Sequence, residues 1–342
     1  MRFSELPKKV VLSYIGLVVS YVIWSAATPI IKLTLDFIPP YTFLFLRFLI
    51  VGIILLPYVI YLLQVNRVAR QDYLNIALLG VFSQSSLIIL FVALQYTTSL
   101  DATIIGILGP LLSMVAGHYF YKDRINAKVK LGTVITLIGA LIVTIEPLLI
   151  SGDSVETVDS VKRFYGNILI LIYNLSFLLY VIWAKISLGQ TPRILKKTLH
   201  FIHLKPMSKE YPAGVTTALS FYVGLLTMIP AAIVENLTTS PVDVMSMGVK
   251  PIIGLLYMAV FSSIIAYFAF ERSLDNVTVS DTALMGYTQP LLTLPFAYLL
   301  LKELPTPGMV FGCGVIFTGI LIAEIGAHAR AKLAEAASLS DA

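Results

Sequence analysis

Apolar runs of about twenty residues, separated by short polar or Gly/Pro-rich breaks, recur along the whole chain. Each is long enough to cross a hydrocarbon core of about 30 Å. They fall at approximately residues 11–34, 40–63, 73–96, 100–121, 128–149, 165–187, 214–234, 251–271, 279–301 and 307–326. A β-barrel would show short alternating segments instead. The pattern predicts an all-α integral membrane protein with ten transmembrane helices. Pro39-Pro40 opens the second run, where a missing N–H costs little, and Pro305 and Pro307 part the ninth from the tenth.

Two of these runs are copies of each other. Asp101, Gly106, Pro110, Leu111 and Leu112 return as Asp281, Gly286, Pro290, Leu291 and Leu292, and Lys122-Asp123 returns as Lys302-Glu303. The same shift carries Gly132 and Gly139 onto Gly312 and Gly319. A repeat of so long a period predicts two halves of one fold rather than a solenoid. In a membrane protein, matched proline-interrupted helices in two halves point to a transport site.

Charge adds the orientation. With a cytoplasmic N-terminus, 17 of the 24 Lys and Arg fall inside, and only Lys162, Arg163, Lys250 and Lys302 fall in outer loops. Five spans per half is an odd number, so the halves are expected as two inverted five-helix repeats with both termini cytoplasmic. The expected organisation is a first repeat in 1–150, then 151–213 with the sixth helix (165–187) and a basic linker (188–213). The second repeat is 165–326 and the tail 327–342. The linker's basic and apolar residues suit either a helix on anionic lipid or a solvated connection.

Composition agrees and narrows the function. Of 342 residues, 58% are hydrophobic and 13% charged, against about 25% charged in soluble domains. The net charge of +5 therefore belongs to cytoplasmic loops and implies no nucleic-acid partner. One cysteine, Cys313, excludes an internal disulfide, and His200 and His203 lack a third ligand, so no metal site or cofactor is expected. Neither a zinc-protease helix, a phosphate loop nor a serine elbow occurs, so no catalytic residue is assigned and an enzyme is not expected. Asn236-Leu-Thr238 is a glycosylation sequon, meaningful only in a eukaryotic secretory membrane.

Polar groups within spans should face a cavity, a partner or a helix groove. Pro110 and Pro290 free the carbonyls of Gly106 and Gly286, which either line a wet pocket shared by both halves or mark mere kinks. Around that pocket the sequence offers Trp24, Thr28 and Lys32 in the first span, and Gln84 and Phe91 in the third. Tyr173, Asn174 and Tyr180 lie in the sixth, Tyr267 in the eighth, and Tyr287 and Gln289 in the ninth. Such a pocket is aromatic and hydroxyl-rich, suited to a small solute with an apolar part and a polar head. The competing role for each residue is ordinary interhelical bonding. Lys32 is read as attracting an anionic solute or snorkelling outward, and Arg47, deeper, as bonding a neighbouring helix. Asp101 and Asp281 at helix starts read as caps. No span carries a central carboxylate, which favours facilitated transport or exchange over proton antiport.

At these residues the chain resembles the drug/metabolite transporter superfamily, in its EamA-type ten-helix branch. Trp24 with Lys32, Phe45-Leu46-Arg47-Phe48, Ala93-Leu94-Gln95-Tyr96 and the two Pro…Lys-acid segments carry the likeness. The family has Gly where Lys122 and Lys302 stand here. The resemblance implies two five-helix bundles, alternating access, and export, exchange or facilitated passage of small organic solutes such as amino acids, related metabolites or drugs. The expected setting is a prokaryotic inner membrane, with the lipid bilayer and a small-molecule substrate as partners and a homodimer as a candidate assembly. A lipid-handling, flippase-like protein of the same fold is the alternative.

Overall fold

The computed structural model describes residues 8–121, 126–149, 159–187, 207–239, 248–273, 277, 282 and 285–340. Lys122-Asp123, Asp281 and most of the basic linker lie outside the described residues. Among those described, the chain is helical throughout and no strand occurs. Among the described residues, nine helices are long and apolar enough to cross a membrane, with mean hydropathies of 1.7 to 2.6. The tenth run is described from residue 285 onward. Large side chains such as Leu12, Ile53, Leu149 and Leu226 remain exposed on the outer faces, as a hydrocarbon solvent permits.

The first half consists of α1 (Lys8–Leu35), α2 (Pro40–Val65), α3 (Tyr73–Tyr96), α4 (Ser99–Gly106) with α5 (Leu108–Tyr121), and α6 (Ala127–Leu149). The second consists of α7 (Ser160–Ser187), α8 (Ala213–Thr238), α9 (Val249–Leu256), α10 (Ala266–Ser273), α11 (Gln289–Leu301) and α12 (Pro307–Ser340). Between α9 and α10 the same span runs as a π-helix over Tyr257–Ile265. Proline chemistry is visible where expected. The fourth span breaks at Ile107, three residues before Pro110, and the ninth turns at Thr288, two before Pro290.

The contacts between helices are paired across the halves. α6 packs on α12 and α2 on α8; α3 packs on α7, and α1 on the α9–α10 span; α4 and α5 pack on α7, and α11 on α1. Each of these pairings maps onto itself or another when the halves are exchanged. Equivalent helices meet head to tail. The Glu235 carboxylate, at the end of α8, accepts from the Thr42 backbone N–H at 2.7 Å, at the start of α2. The Asn126 amide, at the start of α6, donates to the Gly326 carbonyl at 2.6 Å, far along α12.

The α6–α12 seam explains the repeated glycines. A Cβ on Gly319 would stand 2.6 Å from the Gly132 carbonyl oxygen, and one on Gly139 would stand 2.9 Å from that of Gly312. Gly132 meets Gly319 and Gly139 meets Gly312, so each pair is the image of the other under the repeat. That is the self-complementary geometry of a two-fold contact. Only hydrogen fits there, which lets the backbones touch.

Lys302 is the one non-glycine residue with positive φ among the described residues, at φ 58° and ψ 22°. It ends α11 in the left-handed conformation that favours glycine at this place. That accounts for the glycine the resembling family carries there. The ammonium of Lys302 lies 5.2 Å from the Tyr298 ring centroid, a partial compensation.

Candidate functional site

Arg47 sits about 10 Å along α2 from its start, at 1.5 Å per residue. It is buried, 7% exposed. Its Nε donates to Ser263 Oγ at 3.0 Å, and Ser263 Oγ donates to the Met258 carbonyl at 2.8 Å. Ser263 belongs to the π-helical stretch, so the widened turn of the eighth span is where the guanidinium docks. π-Helical turns of this kind recur at functional sites.

Tyr267 stands one turn beyond Ser263. Its hydroxyl is within electrostatic range of Arg47 on α2 and of Tyr173 and Tyr180 on α7. That range takes in helices of both halves. Its surface is 54% accessible. Trp24 packs edge-on against Tyr267 at 5.2 Å, and its indole N–H donates to the Ser262 carbonyl at 3.1 Å. Tyr173, Phe177 and Tyr180 form a ladder along α7 with centroids 6.2 and 5.7 Å apart.

The broken fourth span lies against α7. The Asn174 amide donates to the Ile105 carbonyl at 3.2 Å, just before the break, and its Oδ1 is buried without a partner. A Cβ on Gly106 would meet nothing within 4 Å, so the interruption borders open space. Thr28 on α1 bonds Thr103 on α4 at 3.0 Å.

The remaining residues singled out from sequence lie in other settings. Gln84 is buried against Gly224 of α8 and its Oε1 lacks a partner. Phe91 is fully buried against Phe43, with centroids 5.2 Å apart. Tyr287 and Pro290 are buried and Gln289 half-buried, whereas Pro110 is exposed. Lys32 donates to the Leu94 and Thr97 carbonyls, at 3.1 and 2.5 Å, and so caps the end of α3.

Sequence reasoning missed a charged cluster at the end of the bundle where α6 stops and α7 begins. Arg163 Nε meets Asp101 Oδ2 at 2.5 Å, and its Nη2 meets Glu146 Oε2 at 3.0 Å. All three residues are buried. Asp101 is therefore an ion-pair partner, and the cap of α4 is Thr98, which accepts from the Asp101 N–H at 3.0 Å. Glu303 reaches across from the second half to the start of α4, accepting from the Ser99 N–H at 2.9 Å and the Ser99 hydroxyl at 2.6 Å. Burial pushes the Glu303 carboxyl above its ordinary range, and the bonds from Ser99 partly offset this. Thr306 donates to Glu146 at 2.5 Å. The only sequence signal was the run of polar residues at these helix ends. Beside this cluster, a depression of about 440 Å³ lies between the ends of α1, α3 and α8, bordered by Asp36, Gln95 and Glu235.

The profile of the EamA-like transporter family matches residues 11–145 and 198–324, most of the chain. The chain belongs to that family. The two matches correspond to the two halves, the second without its first helix. An uncharacterized transporter of Archaeoglobus fulgidus is 23% identical over 317 residues, 92% of this chain and 98% of its own. The uncharacterized transporter YyaM of Bacillus subtilis is 24% identical over 256 residues, 74% of this chain and 72% of its own. An uncharacterized protein of Haemophilus influenzae is 30% identical over 111 residues, 32% of this chain but 84% of its own. One crystal structure, 14% identical, superposes over 92% of this chain and 96% of its own with a TM-score of 0.51, a likeness of fold.

Proposed function

We propose that this EamA-family membrane protein is a secondary transporter of small organic solutes that works by alternating access. The observation that carries the reading is the pairing of equivalent helices head to tail: α2 with α8 and α6 with α12. Two halves related by a two-fold axis in the membrane plane exchange roles when one state becomes the other, so a site between them opens to either side in turn. Both termini are cytoplasmic in this reading, the membrane is a prokaryotic inner one, and the charged cluster of Asp101, Glu146 and Arg163 lies at the outer end.

The solute site in this reading is the open space bordered by Trp24, Tyr173, Asn174, Tyr180 and Tyr267, with Thr28, Tyr287 and Gln289 nearer its edge. Gln84 and Phe91 are left to packing. Lys32 is left to capping. The test is flux in proteoliposomes against amino acids, purines, organic anions and organic cations. Saturable counterflow of at least one class supports the reading. Folded protein that moves none of them defeats it.

A further inference from the structure

Arg47 is a cation held inside a span without a counter-ion. Among the described residues, both ion pairs belong to Arg163. A guanidinium carries five N–H donors. Only Nε is used here, on Ser263, and the two terminal nitrogens make no hydrogen bond. The group is 7% exposed, and the ionisable neighbour it senses is the Tyr267 hydroxyl. Glu271, on the same span as Tyr267, interacts with that tyrosine and not with Arg47. A charge at this depth is expensive unless something of opposite sign joins it.

The geometry points to an organic monocarboxylate as the solute, its carboxylate on the free fork of Arg47 and its apolar body against Tyr267, Tyr173 and Tyr180. The planar fork matches one carboxylate through two parallel N–H···O bonds. Ser263 fixes Nε, which orients the fork before the anion arrives. A phosphate monoester, carrying nearly two charges, would call for a second cation. Lys32, on α1, is spent on the carbonyls of Leu94 and Thr97. The tyrosines supply apolar faces with hydroxyl rims, which suit an aromatic or branched body. An organic cation would be repelled.

This inference rests on the transporter reading for the site, and its test separates the two. Purified full-length protein is titrated with phenylacetate, hexanoate, phenylacetamide, phenethylammonium and phenyl phosphate, and thermal stabilisation gives the apparent Kd. Phenylacetate or hexanoate is expected to stabilise the protein, with phenylacetamide and phenethylammonium at least tenfold weaker. Arg47→Gln should weaken carboxylate binding at least tenfold. Arg47→Lys, which keeps the charge and the fold but loses the fork, should weaken it several-fold. Stabilisation by phenyl phosphate beyond that by either carboxylate, no response to any carboxylate, or equal binding by Arg47→Gln would each overturn the assignment. Carboxylate binding without proteoliposome flux would leave this inference standing and sink the transporter reading. Flux confined to cations would do the reverse.

Discussion

Arg163 and Asp101 lie 62 positions apart in sequence and form a buried ion pair with Nε and Oδ2 at 2.5 Å. The pair ties the start of α7 to the start of α4. Glu146 and Thr97 complete its bonding, Thr97 donating to Asp101 Oδ2 at 3.2 Å. Removing Arg163 strands the carboxylates of Asp101 and Glu146 in a dry place, at a cost of about 3–5 kcal/mol, whereas removing Asp101 leaves Arg163 paired with Glu146. Arg163→Gln should lose much of its folded monomer on heating in detergent, measured by size-exclusion chromatography, and Asp101→Asn should lose much less. The double variant Asp101→Asn with Arg163→Gln should recover part of that loss.

The glycine seam between α6 and α12 leaves no room for a methyl group. Gly139→Ala and Gly319→Ala should each destabilise the fold by about 1–3 kcal/mol through overpacking, read as a lowered Tm. Gly314→Ala is the control on the same helix. A Cβ there meets nothing within 4 Å. It should be neutral or slightly stabilising, since Ala outranks Gly in helices by about 1 kcal/mol.

Lys302 holds a left-handed backbone that costs an L-residue about 1–2 kcal/mol. Lys302→Gly should relieve it, less about 0.5–1 kcal/mol for the lost contact with the Tyr298 ring. A small rise in Tm is expected. A fall would show that the cation outweighs the backbone.

Glu303 has a folded-state pKa above its ordinary value because burial disfavours its charge. A carboxyl raised in this sense contributes stability that is full below the ordinary carboxylate range and is lost as pH rises through the folded value. Glu303→Gln cannot titrate. The Tm of the wild type minus that of Glu303→Gln should therefore fall as pH rises from about 4 to about 8. A difference that grew with pH would mean that the bonds from Ser99 outweigh burial.

Tyr267 presents its hydroxyl toward Arg47 and its ring toward Trp24. Tyr267→Phe keeps the ring contact. If the hydroxyl touches the solute, KM for flux should rise about tenfold, the worth of one hydrogen bond to a charged group, with Tm unchanged. Unaltered kinetics would assign Tyr267 to packing.

The spans were legible because a hydrocarbon-length apolar run has few other readings, and the breaks at Ile107 and Thr288 followed from prolines. The glycine register was legible as a repeat, but not as a contact, because facing residues in a head-to-tail pair run in opposite sequence order. Arg163 was counted among outer-loop charges, since nothing local distinguishes a buried arginine from an exposed one. Asp101 was read as a cap because its true partner is on another helix. The π stretch left no mark in sequence, being a shift of one hydrogen bond per turn. Lys302 was noticed as a departure, and only its backbone angles gave the reason.

Gly132 and Gly139 touch the images of each other, so this seam asks nothing of one half that it does not also ask of the other. A chain of half the length, carrying a single such helix, would meet the same surface on a second molecule inserted upside down. With both copies in one chain, a methyl group added to either glycine of a pair would push the backbone of its twin away as well.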